Sequence, residues 1–180
     1  MGAGCKVPDA TPASIFQQPA NPMSDLSRIP RDLQLVLSGG GFRRRRRLVL
    51  PLLTTDPDGF PRVALLTLGE VRANSPSQLA VAVQARSRTA LNLVRRGTVT
   101  LLYLHRLMSA SVRARAGRGR VSTADPERRV FPLTVESVRV DRPAEAEGDV
   151  TLLTGPTFAG ADAGRLFSDE LYAELGKVRS

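Results

Sequence analysis

Between residues 48 and 140 the apolar residues fall in short β-leaning runs separated by turn signals, and that punctuation points to antiparallel β structure. Leu48 to Thr55 is the first run. Asp56-Pro57-Asp58-Gly59 follows it, with proline at the second position of a turn, where its fixed φ fits, and glycine at the fourth. Phe60 to Val71 returns as a matching strand, so a hairpin is expected. Ala73-Asn74-Ser75-Pro76-Ser77 is a second turn cluster, and Leu79 to Val83 a third strand. Three strands in series predict a meander.

Helical spacing interrupts this pattern once. Ser87 is placed as an N-cap, Ala90, Leu91 and Val94 follow at helical intervals with Arg95 and Arg96 in the last turn, and Gly97 stands where a C′ glycine belongs. Thr98 to Leu104, Ser111 to Arg115 and Val130 to Val140 read as strands four to six, with a Gly-, Arg- and Asp-rich loop over 116–129. Ser168 caps a final helix with Asp169 and Glu170 in its first turn, Lys177 in its last, and Phe167, Leu171, Leu175 and Val178 on one face. Six strands with short antiparallel connections, one inserted helix and a packing helix at the end define a mostly β (α+β) small barrel and argue against a parallel α/β sheet.

The stretch from Met1 to about Pro30 is rich in Pro, Ala, Ser and Asn and carries too little apolar surface to offset the entropy of ordering, so residues 1–30 are expected to form a flexible arm. Residues 31–180 then make one domain, as the length of 180 residues favours. It opens on a short helix: Pro30 suits a first turn, Asp32 complements the dipole, Leu33, Val36 and Leu37 share a face, and Ser38-Gly39-Gly40-Gly41 stops it.

Several chemistries are bounded by composition. Cys5 is the only cysteine, which removes intrachain disulfides and thiol-based metal sites. His105 is the only histidine and has no companions at ligand spacing, so no metal site is expected. No apolar run approaches a membrane span, and the N-terminus lacks the apolar segment of a secretory signal, so a soluble protein with the cytoplasm as default compartment is expected. The formal charge of +9 is uneven: 19 basic and 6 acidic residues in 1–120 against 7 and 11 in 121–180. Such a field attracts anions without choosing among phosphorylated cofactors, acidic lipids and nucleic acid.

Two motifs bear on which anion. Arg43 to Arg47 is a run of five guanidinium groups able to contact nucleic-acid phosphates, but no aromatic residue nearby offers a base-stacking surface, and a solvated loop explains it equally well. Ser87-Arg88-Thr89 instead combines unpaired N–H groups at a helix N-terminus with a guanidinium and two hydroxyls, which suits one phosphomonoester. Taken alone, it also reads as an ordinary capped helix.

The order of parts is more specific. The hairpin TTDPDGFPRVALL with Arg62, the strand LAVAVQ, the segment SRTALNLVRRG and the strand TVTLLYLH together resemble the pyridoxamine 5′-phosphate oxidase-like family of FMN-binding split barrels, over about Leu48 to Val140. The resemblance implies a six-stranded antiparallel split β-barrel with short flanking helices. It also implies an FMN phosphate held by Arg62, Ser87, Arg88 and Thr89, with Thr67 near the phosphate or ribityl chain. A homodimer with flavin at its interface is implied as well, in which Ser111 and Arg113 of the fifth strand meet the partner's flavin. Two family lysines are replaced, by Thr67 and Thr89, which keeps hydrogen-bond donors and removes two positive charges. The family's substrate-phosphate residues have no counterparts in the C-terminal part.

The functional expectation is therefore an FMN-binding protein, in first place a flavin-dependent oxidoreductase acting on an unidentified small molecule. In second place stands a split-barrel module that holds flavin, haem or another anionic cofactor without turnover. Nucleic-acid binding through Arg43 to Arg47 ranks third.

Overall fold

The structure, a computed structural model, describes residues 24–39, 47–105, 108–142, 154–159 and 168–179. Its elements in chain order are β1 (Ser24–Leu26), α1 (Arg31–Leu37), β2 (Val49–Thr55), β3 (Pro61–Thr67), a 3-10 turn (Leu68–Glu70), β4 (Val71–Ser75), β5 (Gln78–Gln84), α2 (Arg88–Arg96), β6 (Thr98–His105), β7 (Met108–Ala116), β8 (Arg120–Val121), β9 (Arg128–Asp141) and α3 (Asp169–Leu175). One antiparallel sheet runs β3-β2-β6-β7-β9-β5-β4, and β1 and β8 both pair with β9. This is a mostly β split barrel: the sheet curls, and the two strands at its ends, β3 and β4, are joined in sequence by the 3-10 turn.

Among the described residues nine strands replace the expected six, and the differences have local causes. Phe60 to Val71 does not run as one strand, because Thr67-Leu68-Gly69-Glu70 is a capping box: the Glu70 carboxylate accepts from both the backbone N–H (2.8 Å) and the hydroxyl (3.0 Å) of Thr67 and turns the chain into β4. β4 runs on through Ala73, Asn74 and Ser75, so the turn expected over Ala73 to Ser77 is confined to Pro76-Ser77, and the loop over 116–129 contains β8. The last residues of the stretch expected to be an arm carry structure. Ser24–Leu26 pairs with Val138–Val140 of β9, and Ile29, 3% exposed, is pinned by its N–H to Pro76 O at 2.8 Å. Residues 1–23, with Cys5, lie outside the described residues, as do Phe167 and Arg43 to Arg46.

The hairpin forms as expected. Gly59 takes φ of 92° and donates its N–H to Asp56 O at 2.9 Å, which sets Thr54 opposite Arg62. On β5, Leu79, Val81 and Val83 enter the main core with Leu50, Leu52, Leu101, Val112, Phe131 and Leu133. Ala80 and Ala82 face the other way, under Leu171, Leu175 and Val178 at the C-terminal helix. Coverage on both faces is why this strand is apolar throughout rather than alternating. α1 closes one end of the main core with Leu33, Val36 and Leu37.

α3 is held by polar seats as well as by apolar contacts. Glu174, 6% exposed, receives Arg120, the Ser122 hydroxyl (2.6 Å) and the backbone N–H groups of Thr123 and Ala124 (both 3.1 Å). Asn74 donates to the carbonyls of Leu175 and Val178 at 3.0 Å each, satisfying carbonyls that the helix end leaves open. Arg72 stacks on the Tyr172 ring, 4.7 Å from its centroid. No helix among the described residues is long and apolar enough to cross a membrane.

Candidate functional site

α2 begins as its sequence dictates. The Ser87 hydroxyl accepts from Ala90 N–H at 3.1 Å and donates to Gln84 O at 2.7 Å, tying the helix start to the end of β5. Gly97, with φ of 69°, ends the helix and donates its N–H to Leu93 O. The N–H groups of Arg88 and Thr89, in the first turn, have no intrahelical acceptor. With the positive end of the dipole they form a place for an anion.

That helix start opens on a cleft of about 280 Å3 lined by Ala64, Leu65, Leu66 and Thr67 of β3, Val83 and Gln84 of β5, Ser87, Thr89, Glu70, Arg128 and Phe158. Its walls are mixed in kind: leucine and valine side chains on one hand, hydroxyls, an amide and an ion pair on the other. Thr89 is buried, and its hydroxyl makes no hydrogen bond among the described residues. Thr67 is different, since its hydroxyl proton is directed to Glu70. Arg128 Nη1 lies 2.5 Å from the other Glu70 oxygen, so the cation on this wall is already balanced by a carboxylate.

Arg62 and Arg88 lie outside the lining of the cleft, and Arg62 is engaged instead by Asp56. Arg62 Nε is 2.9 Å from both Asp56 oxygens, and Asn92 of α2 donates to Oδ1 at 2.8 Å and to Thr54 Oγ1 at 3.1 Å. The hydrogen bond from Arg62, then that from Asn92, hold the Asp56 carboxyl below its ordinary range, with the charge of Arg88 adding to the effect. The same bond raises Arg62.

Of the six residues expected to hold cofactor, the structure brings Thr67, Ser87 and Thr89 to one cleft and ties Arg62 to Asp56, while Arg88 stands exposed at the helix start. Ser111 stands in β7, opposite Leu102 of β6 and Arg139 of β9, and does not line this cleft. Sequence reasoning missed Gln84, Glu70, Arg128 and Phe158. The capping box T-L-G-E was a readable signal for Glu70. Arg128 carries no local signal, because it reaches the site through the pairing of β9 with β5, where it stands opposite Gln84.

The fold is that of the pyridoxamine 5′-phosphate oxidase-like split barrels. Among solved structures, the chain is similar to a provisionally assigned pyridoxamine 5′-phosphate oxidase from Lactobacillus delbrueckii, with 21% identity, 64% of this chain and 98% of that one covered, and a TM-score of 0.50. It is also similar to a single-substitution variant of HupZ from Group A Streptococcus, with 12% identity, 63% and 99% coverage, and a TM-score of 0.50. An FMN-binding protein from Syntrophomonas wolfei matches at 10% identity, 63% and 90% coverage, and a TM-score of 0.48. No family model matches the sequence, and no curated protein does. At these identities the likeness establishes the fold.

Proposed function

We propose that this chain binds a flavin of the FMN type through its phosphate at the start of α2 and acts as a flavin-dependent oxidoreductase, as a homodimer with the ring at the interface. The observation that carries this reading is the position of Ser87 and Thr89, at the N-terminal end of α2, on one cleft in a split-barrel fold. The residues present fit a phosphate: it accepts hydrogen bonds, and the Thr89 hydroxyl and two backbone N–H groups are donors without partners among the described residues. Arg88, exposed between them, adds a full charge. Bound flavin supplies the hydride chemistry, while the protein binds, orients and shields it. The lone His105, stacked on Tyr103 at 5.9 Å, has no part in this reading.

One observation favours a second reading, a module that holds an anionic cofactor such as flavin or haem without turnover. Asp56 already occupies Arg62, and threonines stand at both lysine positions, so the phosphate grip has less charge than the resemblance implies. Absorption spectroscopy tests the two together. Purified protein that keeps a flavin spectrum after dialysis against FMN-free buffer, and is bleached by a reduced nicotinamide with steady turnover, supports the oxidoreductase. Retained flavin without turnover supports the binding module, and protein that releases added FMN completely overturns both flavin readings.

A further inference from the structure

At the opposite end of α2 lies a second cleft, of about 530 Å3, whose lining includes Arg95, Arg96, Arg115, Arg118 and Arg129 and no carboxylate. Leu93, Val94 and three glycines supply the rest of its surface, with Ala116. Five arginines line one concavity, and only some of their charges are compensated. Arg115 pairs with Glu136 at 3.0 Å, Arg96 donates to Pro57 O at 3.1 Å, and Arg129 Nη2 donates to Gly119 O at 3.1 Å. Arg95 and Arg118 have no partner among the described residues, and the Nε of Arg129 is buried with no acceptor. A buried N–H left open is rare in folded proteins.

The local fold aims these groups. A side chain on Gly119 would overlap the Phe131 ring, and one on Gly117 would press on Pro132 at 3.0 Å, so the β7–β8 loop lies flat on β9 and carries Arg118 beside Arg129. Phe131 lies beneath the Arg129 guanidinium, 5.5 Å from centroid to Cζ, and holds it at the wall. Arg128 and Arg129 are neighbours on β9 but line different clefts, so this site is separate from the proposed flavin site.

We propose that this cleft is a second anion site that takes a small ligand bearing a pyrophosphate, such as a nucleoside diphosphate. Arginine forks match paired phosphate oxygens two at a time, and several forks at different heights suit two linked phosphates better than one. The volume falls within the usual range of small-molecule sites and leaves room for an attached group against Leu93 and Val94. No aromatic residue lines the cleft, so the base-stacking platform of a single-strand binder is missing.

Calorimetric titration of the full chain with inorganic pyrophosphate, and separately with ADP, tests this. The expected result is saturable binding that is weakened about tenfold or more by Arg95→Ser combined with Arg118→Ser and that persists in Arg88→Ala. Both substituted arginines are exposed, so the fold is expected to persist, which thermal unfolding verifies. In the unsubstituted protein, the Nε–H resonance of Arg129 is expected to shift on addition of pyrophosphate. Absence of saturable binding, loss of binding with Arg88→Ala instead, or binding of a single-stranded oligonucleotide with none of pyrophosphate overturns the proposal.

Discussion

Arg62 Nε sits 2.9 Å from each carboxylate oxygen of Asp56, and Asn92 fixes one of those oxygens from α2. The guanidinium that the family resemblance assigns to phosphate is therefore engaged by a residue of its own hairpin turn. Asp56 does two things at once: it anchors the hairpin to α2 through Asn92, and it lowers the positive potential at the helix start. Asp56→Asn keeps an oxygen for Asn92 and removes the charge. It is expected to tighten FMN binding by roughly three- to fivefold, as follows from freeing one exposed cation. Fluorescence quenching of FMN titrated with each protein measures this, and equal or weaker binding by the variant would show that Arg62 does not reach the phosphate.

Arg88 tests the same site from the helix side. It is exposed, flanked by two residues that line the cleft, and close enough to Asp56 to shift its ionisation. Arg88→Ala is expected to weaken FMN binding by about tenfold or more, the scale of one charge-assisted contact. Arg45→Ala, in the arginine run, is expected to leave FMN occupancy unchanged. Equal occupancy in both variants, read from the flavin-to-protein absorbance ratio, removes the phosphate assignment.

Where the chemistry was local, the sequence was a good guide. The Ser87 cap, the Gly97 stop, the Ser168 cap and the Asp56 to Gly59 turn all stand where residue type placed them, because each depends on neighbours within four positions. What long-range pairing decides was not legible. Arg128 enters the cleft only because β9 pairs with β5 in one register, and Asp56 meets Asn92 across 36 residues. The break at Leu68 lay between these cases: its capping box is local, but the apolar continuity of Phe60 to Val71 masked it. Short β1 and β8 gain their strand geometry from the edge and length of β9 rather than from their own residues.

Thr89 is the position at which the phosphate site can be strengthened. It is 5% exposed, lines the cleft and follows directly on Arg88, and the family places a lysine there. Thr89→Lys adds a cation at a helix N-terminus, which costs helix stability through the dipole but adds a charge-assisted bond to a dianionic phosphate. The expected outcome is about tenfold tighter FMN binding in the folded protein, together with a thermal midpoint lowered in the absence of FMN and recovered in its presence. A variant that is destabilised without gaining FMN affinity would separate the cleft from the phosphate and leave α2 an ordinary capped helix.

Glu174 sets the pH range over which α3 stays docked. Burial alone raises its pKa, but the hydrogen bonds from Ser122, the Ala124 and Thr123 N–H groups and Arg120 outweigh it and lower the value from 4.5 to about 2. A carboxyl depressed in the folded state contributes stability above its unfolded pKa and loses it as pH falls through the folded one. The contribution is thus complete above about pH 5 and vanishes toward pH 2, and the size of the shift corresponds to about 3 kcal/mol. Glu174→Gln retains one acceptor for the N–H groups and loses the charge that Arg120 faces, so it is expected to destabilise by about 2 to 3 kcal/mol at pH 7. Urea unfolding of both proteins at pH 7, 4 and 2.5 should show that difference shrinking steadily with acidification. A gap that stays constant across this range would mean that Glu174 acts through shape, and that the docking of α3 rests on Leu171, Leu175 and Val178 with the Asn74 and Arg72 contacts.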